Sequence, residues 1–234
     1  LRYEWGVHNR LRNQNNGWNH YVWRFFPPDL YLEDHPEFYP HPDGLDGKPA
    51  IPGPSHGWQP CYSNEDTIPI AVDWILNYFA QNPDQSSISL AVNDSGNFCE
   101  EHPYHENYTD KRNSIGRPDM SDIYFAWVNE VVEQVLEVYP DKWFGVLAYQ
   151  QVYDPPSFPL HERVVPYLTK ERLAWADEVV KAEDQAIVDA WNEKASHIGF
   201  YDYIYSNPYM LPRVHNQNST RTGGTDQKLG CMRN

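Results

Sequence analysis

The sequence predicts an α/β fold, a (β/α) barrel of TIM type that is incomplete, preceded by a loop-rich N-terminal region. Amphipathic segments at helical spacing alternate with short apolar runs bounded by turn residues, a pattern that favours parallel strands joined by crossovers. No glycine-rich phosphate loop follows any strand, which weakens the other arrangement open to such a pattern, a doubly wound nucleotide-binding sheet. The pattern supplies about four to six strands in 234 residues, too few for the eight-fold barrel.

Residues 1–63 carry Pro27, Pro28, Pro36, Pro40, Pro42, Pro49, Pro52, Pro54 and Pro60, so long helices and central strands are excluded there. The segment is also rich in Trp, Tyr and His, the composition of ordered loops packed on a core. Asn64 then serves as a candidate N-cap for a helix through about Ala80, with Ile68, Ala71, Trp74, Ile75, Tyr78 and Phe79 at helical spacing. Ser87 to Val92 reads as a buried strand. Ser121 caps a second helix to Tyr139, with Tyr124, Trp127, Val128, Val131, Val135 and Val138 in one stripe. Trp143 to Tyr149 is the next strand, and a weaker one spans Val164 to Leu168. A third helix from about Glu183 to Ala195 turns Ala186, Ile187, Ala190 and Trp191 inward. The last strand runs from Ile198 to Ile204. Residues 1–214 are thus read as one domain, and 215–234 as a polar tail that adds no core element.

Composition narrows the function. The chain has 18 Lys+Arg against 33 Asp+Glu, a formal charge of −15. Binding of nucleic acid, which rests on cationic side chains displacing counterions, is not expected. Mean hydropathy is −0.74 and no apolar run nears the roughly 20 residues of a membrane-spanning helix, so no membrane partner is expected either. The first ten residues lack an apolar stretch of signal-peptide length. Aromatic residues are abundant (17 Tyr, 9 Trp and 9 Phe) and suit either a large core or stacking on flat apolar ligand faces.

In parallel α/β folds the residues just past the C-terminal ends of strands line the site. That rule selects Asn93 and Asp94, then Tyr149, Gln150 and Gln151, then Asp202 and Tyr203. Asp94 follows an apolar run, where partial desolvation raises a carboxyl pKa as an acid catalyst requires; alternatively Asn93-Asp94-Ser95-Gly96 is simply a turn. Asp202 shares a face with Phe200 and Ile204, so it must be paired or point into a cavity. A salt bridge to Arg213 or Arg163 is the structural alternative. Trp18, Asn19 and His20 combine an indole, an amide and an imidazole that could stack on and hydrogen-bond a sugar. Cys61 and Cys99 could pair in a disulfide, or join His102 and His105 in a zinc site of irregular spacing. Asn93, Asn107 and Asn218 fit the glycosylation acceptor pattern. No cofactor is called for.

The stretches PPDLYLEDHPEFY at 27–39, SLAVNDSGNFCE at 89–100, VNEVVEQVLEVYPDK at 128–142 with LAY at 147–149, and HIGFYDYIY at 197–205 with LPR at 211–213 resemble the domain of unknown function 4838 family. The resemblance implies a bacterial, mostly secreted or periplasmic protein with a glycoside-hydrolase-like barrel related to α-glucuronidases. Two departures accompany it. Family members often carry further cysteines where this chain has Glu100, Glu101 and His102, and they continue past LPR into strands here replaced by the polar tail. The chain is thus expected to be a truncated or divergent copy.

The expected function is hydrolysis of a glycosidic bond in an oligosaccharide or polysaccharide, with Asp94 as acid/base and Asp202 as its partner. Trp18, Asn19, His20, Asn93, Tyr149, Gln150 and Tyr203 would hold the sugar. The alternatives are a non-catalytic carbohydrate-binding protein on the same scaffold and a metal-dependent hydrolase using Cys99, His102 and His105. The sequence leaves the oligomeric state open.

Overall fold

The computed structural model of the protein describes residues 17–41 and 57–202. Four strands, β1 (Ser87–Ser89), β2 (Trp143–Ala148), β3 (Val164–Lys170) and β4 (Gly199–Asp202), lie side by side in chain order, every neighbouring pair parallel. The register aligns Ile88 with Phe144, Phe144 with Val164, and Leu168 with Phe200. The α/β class is therefore observed, as a four-stranded parallel sheet with helices. The strand expected from Ile198 onward is seen from Gly199 to Asp202, and its continuation, Tyr203 included, lies outside the described residues, as do Arg213 and residues 215–234.

Helix α1 (Pro28–Tyr31) is a single turn with proline at its first position; the longer helices are α2 (Thr67–Gln81), α3 (Ser121–Val138) and α4 (Glu178–Lys194). Helix α3 is rich in β-branched valine and holds its shape by packing rather than propensity. It buries Tyr124, Phe125, Trp127, Val128, Val131, Val132 and Val135, each worth about 1.5–3 kcal/mol for an aliphatic or Phe side chain taken fully from water. Val138, placed in that stripe by spacing, is the last helical residue and 56% exposed.

The strand expected from Ser87 to Val92 is paired only from Ser87 to Ser89, and three helix starts differ from the sequence reading for local reasons. Asn64 does not cap α2; its side chain accepts from Asp66 N (3.0 Å) and the helix starts at Thr67. Ser121 is the first residue of α3, not its cap. Helix α4 begins at Glu178 because Asp177 Oδ1 accepts from Val179 N (2.8 Å) and Val180 N (3.3 Å), satisfying two otherwise orphaned donors. Its inward side is Val188 and Trp191, while Ala186 is exposed.

Period-two alternation gives the sheet two faces. Phe144, Val146, Ala148, Val164 and Leu168 lie in the same core as Ile75, Phe125 and Val128. Over the opposite face the chain at Gly17–Tyr21 crosses β1 and β2. Gly17 N donates to Ser87 Oγ (3.1 Å), Ser89 Oγ donates to Asn19 O (2.5 Å), and Tyr21 N donates to Ala91 O (3.1 Å). The Gly17 carbonyl occupies the space where a Cβ at position 145 would stand, so this approach requires Gly145. Of the described residues before α2, Val22, Phe25, Phe26, Phe38, Tyr39 and Trp58 are all core residues.

Candidate functional site

The chain continues past β1 as a buried segment through Leu90, Ala91 and Val92, Leu90 N donating to Gly145 O (2.9 Å), and delivers Asp94 to the C-terminal edge of the sheet. Strand β2 ends one residue before Tyr149. Between these two strand ends the Tyr149 hydroxyl donates to Asp94 Oδ1 at 2.9 Å, and Gln150 Nε2 donates to the same hydroxyl at 2.9 Å. Burial raises the Tyr149 hydroxyl above the ordinary tyrosine range, and the bond to Asp94 adds to that rise.

His20 completes the group. Its Nδ1 lies 2.6 Å from the Val92 carbonyl, an acceptor only, so Nδ1 carries the proton there, and Nε2 lies 3.8 Å from Asp94 Oδ1. The imidazole meets the Tyr149 ring edge-on with centroids 5.4 Å apart. Asp94 itself stays open, its side chain 59% exposed.

Gln150 has a left-handed backbone (φ 49°), a conformation non-glycine residues adopt rarely and at some cost. That bend lets the Gln150 carbonyl accept from Asn113 Nδ2 (2.6 Å) while its side chain returns to Tyr149. Next to it, buried Gln151 donates from Nε2 to Gly96 O (2.8 Å) and to Glu101 Oε2 (3.2 Å). Burial pushes the Glu101 carboxyl above the ordinary glutamate range, against the bond from Gln151 and the fields of Arg112 and Arg117. Gln151, two residues after Tyr149, thus ties Glu101 to the segment that follows β2.

Several residues selected from sequence take other places. Asn93 is 0% exposed and cannot touch a sugar. Its Nδ2 donates to Trp58 O (2.7 Å) and its Oδ1 accepts from Trp23 N (2.9 Å); the same burial rules it out as a glycosylation acceptor, whereas Asn107 is exposed. Asn19 is exposed and holds β1 through its carbonyl. Trp18 stacks on Tyr167 (5.5 Å) and tilts against Tyr201 (4.8 Å) over the face opposite the helical core.

Asp202 does not join Asp94. In register it pairs with Lys170, and alternation puts it on the face of Phe200 and Leu168, the reverse of the Tyr201 face. There it accepts from Arg172 N (3.1 Å) and from Arg172 Nε (2.7 Å), so it is the paired carboxylate its apolar surroundings require, with Arg172 in the place assigned to Arg213 or Arg163. Lys170, buried beside it in sequence register, is held by Asp184 Oδ1 (2.5 Å) and by the Tyr153 hydroxyl.

Cys61 and Cys99 form a disulfide, with Cα atoms 5.2 Å apart, and so offer no thiolate to a metal. Among the described residues no group of three His, Cys, Asp or Glu is arranged to hold a metal ion. The sequence does not single out Glu101, in the short 3-10 turn Cys99–Glu101, or Gln59, in a loop, because neither segment is long enough for periodicity to mark a face.

Residues 1–221 match the family model described as Domain of unknown function (DUF4838). No curated protein and no solved structure matches the chain. With a match that spans nearly its whole length, the chain belongs to the domain of unknown function 4838 family.

Proposed function

We propose that this is a carbohydrate-active protein of glycoside hydrolase type, its sheet part of a (β/α) barrel, acting on a neutral oligosaccharide or polysaccharide. The observation that carries the reading is the exposed Asp94 carboxylate held by the Tyr149 hydroxyl, with His20 beside it, at the C-terminal edge of parallel strands. The consecutive strand order supports a barrel, because a doubly wound sheet reverses order at its ligand-binding crevice.

Cleavage of a glycosidic bond takes one carboxyl group to protonate the leaving oxygen and another to act as base or nucleophile. With Asp202 committed to Arg172, Glu101 is the better second group. Its raised pKa suits the proton donor, and Asp94 suits the base or nucleophile. Glu101 gives its proton to the glycosidic oxygen as the carbon–oxygen bond breaks. Asp94 either takes a proton from the attacking water or bonds the anomeric carbon until water replaces it. Trp18, packed on Tyr167 and Tyr201, supplies an aromatic surface on the sheet face opposite the helical core. The net charge of −15 favours neutral over anionic sugars. The Cys61–Cys99 disulfide supports an oxidising location, secreted or periplasmic.

A second reading, a non-catalytic carbohydrate-binding protein, is favoured by the same Arg172–Asp202 pair, which removes one of two expected carboxylates from use. Calorimetry with a panel of neutral oligosaccharides, followed by chromatography of the mixture, separates the readings. Binding heat with shorter products supports the hydrolase. Binding without products selects the second reading, and no heat with any sugar contradicts both.

A further inference from the structure

The turn that carries Asp94 is gripped by one side chain from a distant loop. Gln59 is 0% exposed, and its Oε1 accepts from Asn93 N (3.0 Å) while its Nε2 donates to Asn93 O (2.9 Å) and to Ser95 O (2.7 Å). The amide thus bonds the main chain on both sides of Asp94. The Tyr62 hydroxyl donates to Gln59 Oε1 (3.2 Å), and Gln59 N donates to Asn97 O (3.0 Å), so the amide and its own backbone are both anchored. Asn93 answers by donating to Trp58 O (2.7 Å), which closes a reciprocal frame between residues 58–59 and 93–95. Two residues beyond Gln59, the Cys61–Cys99 disulfide ties the same loop to the far end of the Asp94 loop.

A turn at a strand end does not need this arrangement to reverse the chain; Ser95 N already donates to Asn93 O (2.8 Å) across it. What the Gln59 amide adds is a fixed main-chain position on either side of one exposed carboxylate. We propose that Gln59 is a positioning residue that aims Asp94 at the Tyr149 hydroxyl and at bound substrate. The inference rests on the reading that Asp94 acts on substrate, but its physical core is that Gln59 makes the Asp94–Tyr149 contact.

That core is read by titrating Tyr149 in the full chain, using tyrosine labelled with ¹³C at Cζ and the Tyr149→Phe variant to assign the signal. Wild type, Asp94→Asn, Gln59→Met and the double variant are compared, with thermal midpoints recorded alongside. Losing the Asp94 contact removes one influence that raises the Tyr149 hydroxyl, so both single variants lower its titration midpoint and the double variant lowers it no further. Unchanged Tyr149 titration in Gln59→Met, with or without lost stability, overturns the proposal. If the methionine variant does not fold, Gln59→Glu keeps the shape while replacing the donor that faces two carbonyls, and is judged by the same criterion. Turnover of aryl glycosides by the same proteins provides the separate functional arm. Here Gln59→Met is expected to lower kcat about 10- to 100-fold with little change in KM, the loss expected from a small misplacement of a reacting group. Absence of turnover in wild type counts against the hydrolase reading and leaves the titration result standing.

Discussion

The Tyr149 hydroxyl and the Asp94 carboxylate meet at 2.9 Å across the ends of two adjacent parallel strands. The contact joins residues 55 apart in sequence. Neither residue holds the core together: Asp94 is exposed, and Tyr149 only packs against the core from its edge. Tyr149→Phe is therefore expected to lower kcat about tenfold, the loss of one hydrogen bond to a charged group, while the thermal midpoint moves by no more than about 2 °C. Steady-state kinetics and calorimetric melting of the purified variant check both numbers. A large stability loss with unchanged kcat would make the contact structural.

Asp202 is expected to behave in the opposite way. Replacing it with Asn leaves the Arg172 guanidinium and main-chain N without their anionic acceptor, at a cost of about 1–3 kcal/mol. Urea denaturation of Asp202→Asn should show that loss, with kcat within about threefold of wild type. A hundredfold loss of kcat at unchanged stability would restore Asp202 to the reaction.

The disulfide closes a loop of sequence separation 38. In the chain-entropy account, cross-links of this size contribute about 3–4 kcal/mol by restricting the unfolded chain. Cys61→Ser with Cys99→Ser should therefore lower the free energy of unfolding by about that amount. Thiol reductant should produce a similar fall in wild type and none in the double variant, as followed by guanidinium denaturation.

Glu100 is fully buried, and burial raises its carboxyl above the ordinary range despite the bond that Oε1 accepts from Ser63 N (2.8 Å). The folded state then holds this proton more tightly than the unfolded chain does. The stability it contributes is fully present below the unfolded value near 4.5 and is lost as pH rises through the raised folded value. Unfolding free energies measured from pH 4.5 upward should decline, and Glu100→Gln should flatten that part of the curve. An identical pH dependence in the variant would show that other groups set it.

The helices and strands were legible because burial imposes a period. The α3 stripe from Tyr124 to Val135 and the run from Trp143 to Ala148 needed no tertiary information. Asp94 was legible for the same reason, since the end of an apolar strand marks the edge of the sheet. Alternation also placed Asp202 correctly with Phe200, but which face looks toward Asp94 depends on pairing with β3, where Lys170 lies beside Asp202. Asn93 illustrates the converse: a polar residue at the right position was consumed by Trp58, Trp23 and Gln59, all distant in sequence. Glu101 takes its place through one long-range hydrogen bond and Gln59 through several, and such bonds leave no periodic trace.

The most direct test is the turnover of a panel of neutral aryl glycosides by wild type and by Asp94→Asn at matched folded fraction. Hydrolysis of at least one glycoside by wild type, reduced at least a thousandfold in Asp94→Asn with an unchanged melting midpoint, is the expected result. Equal turnover by the two proteins would remove Asp94 from the chemistry and contradict the proposed site.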